Sequence, residues 1–354
     1  MAIDKTLHQA EFTAALVASF RDNNQDPILG LEALFPNKVA KSKYVKVHVM
    51  RNGRKVAVDV KRCTDANLNQ FTEGKEKIIL PPYFREGFDI TQCEAYKYAF
   101  VRNQFGNSAA VQDLFADAEE KLRLLKNKIQ RAVEKMRADV LQTGILTFKS
   151  QDSIDYGRKA QSIKVVDNKW DSAGADIIGD LTTGVEFLRT EGRSFGQEIM
   201  AICGAKALGY IIGNTKLLEA NDYRRANRLE ITMPQAQAKG FTYHGRIAVG
   251  DFIVNLMTYS DTYEDKDGNA IPYIDADKVI LMPSDFEGLT TYASVPALFE
   301  EAATGAQFIG EFAGEFYQRD YVDQVVMNWM HEISSAPVVI PVSVDKMYTL
   351  KVLA

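Results

Sequence analysis

Residues 108–144 read SAAVQDLFADAEEKLRLLKNKIQRAVEKMRADVLQTG, the strongest helical segment of the chain. Phe115, Ala118, Leu122, Leu125, Ile129, Ala132 and Met136 recur at alternating spacings of three and four. That spacing predicts one continuous apolar stripe along a single helix. Asn107 or Ser108 can cap its start, and Gly144 ends it. Acids dominate the first half (Asp113, Asp117, Glu119, Glu120), whereas Lys121, Arg123, Lys126, Lys128, Arg131, Lys135 and Arg137 load the second. This distribution complements the helix dipole. At 1.5 Å per residue the helix is about 50 Å long, more than most globular helices. It either pairs as a coiled coil or lies across a sheet, and the register slip after Met136 favours the sheet. The basic half reads first as a solvated face and second as a phosphate contact.

N-terminal to this helix, residues 44–60 (YVKVHVMRNGRKVAVDV) form the clearest hairpin pattern. Asn52-Gly53 suits a two-residue turn in which both positions need positive φ. Counting outward from the turn, Val49 faces Val56, Val47 faces Val58, and Val45 faces Val60, while Lys46 opposes Asp59. An isolated ribbon is marginal in water, so the valine face needs a cover. That cover is either the protein's own sheet or a partner subunit. Still earlier, residues 4–20 predict a short helix with Asp4 as its cap, broken by residues 22–27. Such an arm must pack on its own body or on a neighbour.

C-terminal to the helix, ILTFKS and SIKVVDN read as strands joined by a polar loop containing Asp155-Tyr156-Gly157-Arg158. A second helix falls in GADIIGDLTTGVEFLRTEG, a buried strand in IMAIC, and another helix in AKALGYIIGNTKLLEA. MTYSDTYEDKDGNAIPYI predicts a hairpin turned by Asp267-Gly268, followed by the strand DKVILMP. The last twenty residues end in two strands. Residues alone therefore give a mixed α+β protein with two projecting pieces.

The composition narrows the function. The 354 residues carry 42 Lys and Arg against 47 Asp and Glu, a net charge of −5. A dedicated nucleic-acid binder carries a clustered basic excess, which this balance does not support. No apolar run approaches the roughly 18 residues of a membrane span. Asp4 and Glu11 do not suit a secretory signal. Cys63, Cys93 and Cys203 are odd in number and scattered, which excludes a disulfide framework or zinc knuckle. Gly192-Arg193-Ser194-Phe195-Gly196 matches a nucleophile elbow, but a helix precedes it and a strand follows, reversing the required order. A serine hydrolase using Ser194, with His244 or His331 downstream, is thus a minor alternative. The acidic loop at 261–277 lacks oxygen ligands at the two ends of a calcium loop, and Gly204-x4-Gly209 lacks the Lys of a phosphate loop. No enzymatic activity, metal or cofactor is expected.

The ordered series of pieces resembles the lambda-type major capsid protein family of tailed bacteriophages. The resemblance runs from about Pro27 to Ala354. It rests on DPILGLEALFP, the ribbon around Asn52-Gly53, ILPPYFREGFDI, the long helix, Ile154-Asp155-Tyr156-Gly157-Arg158, Trp170 with GADIIGDL, YEDKDGNAIPYI leading into KVILMP, and SAPVVIPVSVDKMYTLKVLA. The sequence departs from the pattern at Ala207 and Leu208, where many relatives carry a large aromatic residue. The resemblance implies the Hong Kong 97-type capsid fold, an α+β architecture divided as follows: an N-terminal arm (1–39), an extended loop (40–80), a peripheral domain with spine helix 108–143 (81–175), an axial domain (176–324), and C-terminal strands returning to the peripheral domain (325–354). It also implies a homo-oligomeric shell of hexamers and pentamers, with scaffolding, portal and decoration proteins as partners. The shell encloses double-stranded DNA without sequence recognition, contacts no membrane, and assembles in the bacterial host cytoplasm to become the virion capsid. A cell-made encapsulating nanocompartment of the same fold is the alternative. The candidate intersubunit contacts are Val45, Val47, Val49, Asn52, Gly53, Val56, Val58 and Val60 on the ribbon, with Phe35 in the arm as a second site.

Overall fold

A computed structural model describes residues 27–49, 75–91, 109–149, 151–172, 174–194, 198–214, 229–300, 307–323 and 328–353. The expected N-terminal helix at 4–20 and the Asn52-Gly53 turn with Val56, Val58 and Val60 lie outside them.

Helix α1 spans Ala109–Thr143 and ends where the glycine predicts: Gly144 sits at φ 71° and its N–H donates to the Val140 carbonyl at 2.9 Å. Leu122 and Leu125 are half-buried, but from Val133 to Gln142 the helix is buried almost all round. A helix buried over most of its circumference, with Lys135 as the exposed position of this stretch, belongs to the interior. Its neighbours are the chain's own strands, which answers the coiled-coil alternative.

Seven strands form the main mixed sheet, in the order Ile163–Val165, Tyr348–Lys351, Lys278–Pro283, Ile199–Cys203, Phe252–Tyr259, Phe241–Val249, Leu229–Ala236. Helix α2 (Ile177–Thr190) starts at Asp176, whose carboxylate accepts from Gly179 N–H at 3.0 Å. Helix α3 (Ala205–Ile212) follows the Ile199–Cys203 strand. Side chains alternate across a strand. Ala201, Cys203, Val279 and Leu281 accordingly join the core beneath α2 and α3, while Ile202, Ile280 and Met282 join the core shared with α1. Burial on both faces explains why IMAIC and KVILMP are continuously apolar. Gly184 lets α2 approach this sheet: a Cβ there would lie 2.6 Å from Leu281 Cδ1 and 2.8 Å from Tyr348 Cδ1. Ala207 and Leu208 are buried in the same core, so the departure from the aromatic pattern leaves a packed site.

Beside α1 run two three-stranded sheets, Asn37–Val39/Gly288–Tyr292/Pro337–Pro341 and Tyr317–Asp323/Asn328–Ser335/Phe84–Ile90. The expected hairpin is present as Thr262–Glu264 and Ala270–Pro272, with Gly268 at φ 81°. Strand pairing does not follow the expected boundaries of 176–324 and 325–354. Residues 288–292 and 317–323 lie in the α1 layer, because their hydrogen-bonding partners are 337–341 and 328–335. Tyr348–Lys351 pairs with 163–165, within the expected 81–175 segment, and with 278–283, both in the seven-stranded sheet.

Candidate functional site

The described parts of the expected arm and ribbon are held in the body by different means. The arm is held by a buried ion pair. Glu134 and Arg137 lie on adjacent turns of α1 with side chains 0 % and 2 % exposed, 2.9 Å apart. Buried charge is costly unless every lone pair and N–H finds a partner. Here they do. Glu134 Oε1 accepts from the Leu31 N–H and from the Tyr259 hydroxyl, both at 2.7 Å, and Oε2 accepts from Arg137 Nη1. Arg137 Nη2 donates to Asn37 Oδ1 at 2.9 Å and Nε to Thr290 Oγ1 at 3.1 Å, while Thr290 Oγ1 donates to the Phe35 carbonyl. The Tyr259 hydroxyl in turn accepts from Gly30 N–H at 3.2 Å. Burial, then the charge of Glu134, holds the Tyr259 phenol above its ordinary pKa, so it remains the donor. One carboxylate therefore ties together the arm, α1 and the strand Phe252–Tyr259.

The arm enters as a wedge. Leu31 and Phe35 are fully buried, and the Phe35 ring meets Phe286 edge-on at 5.6 Å. Two glycines make room. A Cβ on Gly30 would lie 2.2 Å from the Lys239 carbonyl, and one on Gly288 would lie 2.1 Å from Phe35 Cδ1. Phe35 was expected at an intersubunit contact. Its ring instead fills the chain's own core, so it is not available to a neighbour.

Arg158 closes the far end of α1. Its guanidinium donates to the Leu141, Ser162 and Met347 carbonyls and to the Ser162 and Thr349 hydroxyls, all at 3.0–3.2 Å. A cation on the last carbonyls of a helix satisfies both their lone pairs and the dipole. Burial pushes its pKa down to about 10. In the polar loop expected at 155–158, Asp155 and Gly157 are exposed while the side chains of Tyr156 and Arg158 turn inward.

The ribbon is rooted by backbone pairing. Val45–Val49 runs antiparallel to Lys75–Ile79, with Val45 opposite Ile79, Val47 opposite Lys77 and Val49 opposite Lys75. Val45 and Ile79 are buried in the core shared with α1, so Val45 is an anchor of the ribbon and not part of an open face. Around that root, Tyr44, Ile78, Leu80 and Tyr83 are 45–60 % exposed. A concentration of large apolar side chains in water marks an interaction surface. Asn52, Gly53, Val56, Val58 and Val60 lie outside the described residues.

The alternative chemistry finds no support. Ser194 is fully buried, and Arg193 before it adopts a φ of 56°. His244 Nε2 is engaged with Thr258 Oγ1 at 2.8 Å, and His331 Nδ1 with Asp320 Oδ1 at 2.7 Å. Burial pushes the Cys203 thiol up to about 12, which leaves it protonated and inert. Among the described residues no three His, Cys, Asp or Glu side chains are placed to hold a metal ion, and no helix is long and apolar enough to cross a membrane. Neither Glu134 nor Arg137 stood out in the sequence. At i and i+3 in a stretch that also carries the exposed Lys135, they read as an ordinary surface pair.

A long helix across strands, a two-faced mixed sheet, a clamped arm and a rooted ribbon agree with the expected α+β, Hong Kong 97-type capsid fold. The chain superimposes on a prophage capsid protein of Escherichia coli CFT073 with a TM-score of 0.56 and 17 % identity, covering 94 % of this chain and 96 % of that one. Similarity extends to the capsid of Cyanophage P-SCSP1u (TM-score 0.46, 10 % identity, 90 % and 86 % covered) and to the holo-SrpI encapsulin complex of Synechococcus elongatus PCC 7942 (0.45, 10 %, 96 % and 95 %). No curated protein sequence matches the chain. The family described as Phage major capsid protein E matches residues 12–352, and the chain belongs to that family. It is a phage major capsid protein, a component of the virion shell.

Proposed function

We propose that copies of this chain assemble as hexamers and pentamers into the icosahedral shell of a tailed double-stranded DNA bacteriophage. Assembly takes place in the host cytoplasm on a scaffolding protein, and portal and decoration proteins complete the particle. In this reading residues 1–39 form the arm and 40–80 the extended loop that reaches over a neighbour. The observation that supports it is the exposed apolar root of the ribbon, Tyr44, Ile78, Leu80 and Tyr83. Val47, Val49, Asn52, Gly53, Val56, Val58 and Val60 continue that contact outward. Each interface can be modest, because closed symmetry makes every copy part of many linked contacts. The net charge of −5 suits a container that does not grip its nucleic acid tightly. Negative-stain microscopy of the expressed full-length chain tests the reading: shells or capsomers tens of nanometres across are expected. A compact monomer at every salt and protein concentration would overturn it.

A further inference from the structure

An open cleft of about 530 Å³ lies between the first half of α1 and the strands Tyr317–Asp323 and Asn328–Ser335. Leu122 lines it from the helix, and Trp329 and Ile333 line it from the strands. His331 lines it too. This ring is 3 % exposed, stacks on Phe88 with centres 4.9 Å apart, and engages Asp320 Oδ1 through Nδ1 at 2.7 Å. Its Nε2 is buried and has no hydrogen-bond partner among the described residues. With Nδ1–H donating to Asp320, Nε2 of the neutral ring is an acceptor still to be used. Arg123 and Lys126 stand exposed on the helix side of the cleft. Glu119 and Asp320 also line it, but residues 119–128 carry four Lys and Arg against two Glu.

The same chain carries a piece of complementary character. The strands Val295–Glu300 and Gln307–Phe312 pair only with each other among the described residues, with Leu298 opposite Ile309 and Phe299 opposite Phe308. A ribbon of two strands is marginal in water by itself. Its root is secured, since Val295 and Ala297 are buried and Ser294 Oγ donates to Glu311 Oε2 at 2.8 Å. Further out, Phe308 is 55 % exposed and Ile309 79 %. Successive residues of a strand point to opposite faces, so this ribbon presents apolar surface to water on both sides. Residues 295–312 carry three Glu and no Lys or Arg. An acidic ribbon with two apolar faces matches a cleft with two apolar walls and a basic rim, and such charge matching fixes partner and register. No described residue of the ribbon lines the cleft of its own chain. An apolar patch that fits a pocket elsewhere on an identical molecule joins copies to one another.

We propose that the ribbon of one copy inserts into the cleft of a second copy, placing Phe308 and Ile309 between α1 and the strand Asn328–Ser335, with Arg123 and Lys126 facing the ribbon's acids. The place of this contact in a particle rests on the shell reading; the contact itself is tested without it.

Two full-length chains in a C63A/C93A background are mixed, one carrying I309C and the other Q318C, at an exposed position of the cleft. Cys203, 1 % exposed, stays out of reach. After oxidation by dissolved oxygen and alkylation of the remaining thiols, a non-reducing gel and mass spectrometry are expected to show a dimer joining the two introduced thiols, one from each chain. I309D, at a position open to water, should keep the fold by circular dichroism while raising the concentration at which copies associate, read by light scattering, by roughly ten- to a hundredfold. Charge reversal at the rim (R123E/K126E) should weaken association too, and E311K should recover part of that loss. Either the absence of the mixed dimer or an unchanged association concentration in I309D overturns the contact. Microscopy of the wild-type chain scores the shell reading separately: a mixed dimer without shells supports the contact and counts against the shell, whereas shells without the mixed dimer do the reverse.

Discussion

Replacing Glu134 by Gln tests the clamp directly. The substitution keeps the shape of the side chain but removes its charge, so Arg137, 2 % exposed, is left buried without a counter-ion. Breaking a buried pair in this way costs about 3–5 kcal/mol. Because the Leu31 and Gly30 amides are bonded within the same network, the loss should appear first as local opening of the arm. Hydrogen exchange on the unassembled chain reads those two amides, and acceleration by roughly two to three orders of magnitude is expected. A double replacement, E134M/R137L, removes both charges and should cost less than the sum of the single replacements, with a coupling of about 1–3 kcal/mol. It will not recover fully, because Leu31 N–H, Asn37 and Thr290 lose their partners. Unchanged Leu31 exchange and an unchanged urea midpoint in Glu134→Gln would refute the view that this pair holds the arm.

Three further outcomes follow from the packing. Val47→Asp should leave the monomer folded and stop shell formation, whereas Val45→Asp, at an anchored position, should lower the yield of folded chain; circular dichroism with microscopy separates the two effects. Gly184→Ala gains about 1 kcal/mol of helix propensity but overpacks the Leu281 and Tyr348 contact by about 1–3 kcal/mol, so thermal unfolding should shift downward. Cys203, pushed up from 9.0 to about 12 in the folded chain, should resist alkylation until the protein unfolds. The linkage has a definite sign: the raised folded value contributes stability that is complete below pH 9 and is lost between about 9 and 12 as the unfolded thiol ionises. Denaturant melts across that range in a C63A/C93A background measure it.

Much of the secondary structure was legible because it is locally coded. The three-and-four spacing fixed α1, Gly144 its end, Asp267-Gly268 the second hairpin, and continuous apolar runs the strands of the two-faced sheet. What escaped depends on distant pairing. Asn52-Gly53 draws the reading toward a local partner for Val45–Val49, while the observed partner, Lys75–Ile79, lies beyond a stretch that no local rule bridges. The last strand, Tyr348–Lys351, pairs with both 163–165 and 278–283, and the second of these neighbours has no local signal in the sequence. Glu134 and Arg137 at i and i+3 look like an ordinary surface pair. Only the enclosure of the helix end by the arm and two sheets turns them into the clamp, and Phe35 into a core residue.

The single carboxylate at Glu134 has a mechanical consequence. Its oxygens hold the arm's backbone on one side and, through Tyr259 and Arg137, the central sheet and the α1 layer on the other. Any load applied to the arm would therefore reach both layers at once, at the point where they meet. Relaxing that polar linkage alone does not free the arm, because Leu31 and Phe35 remain wedged in the apolar core and Asn37–Val39 remains paired with Thr290–Tyr292.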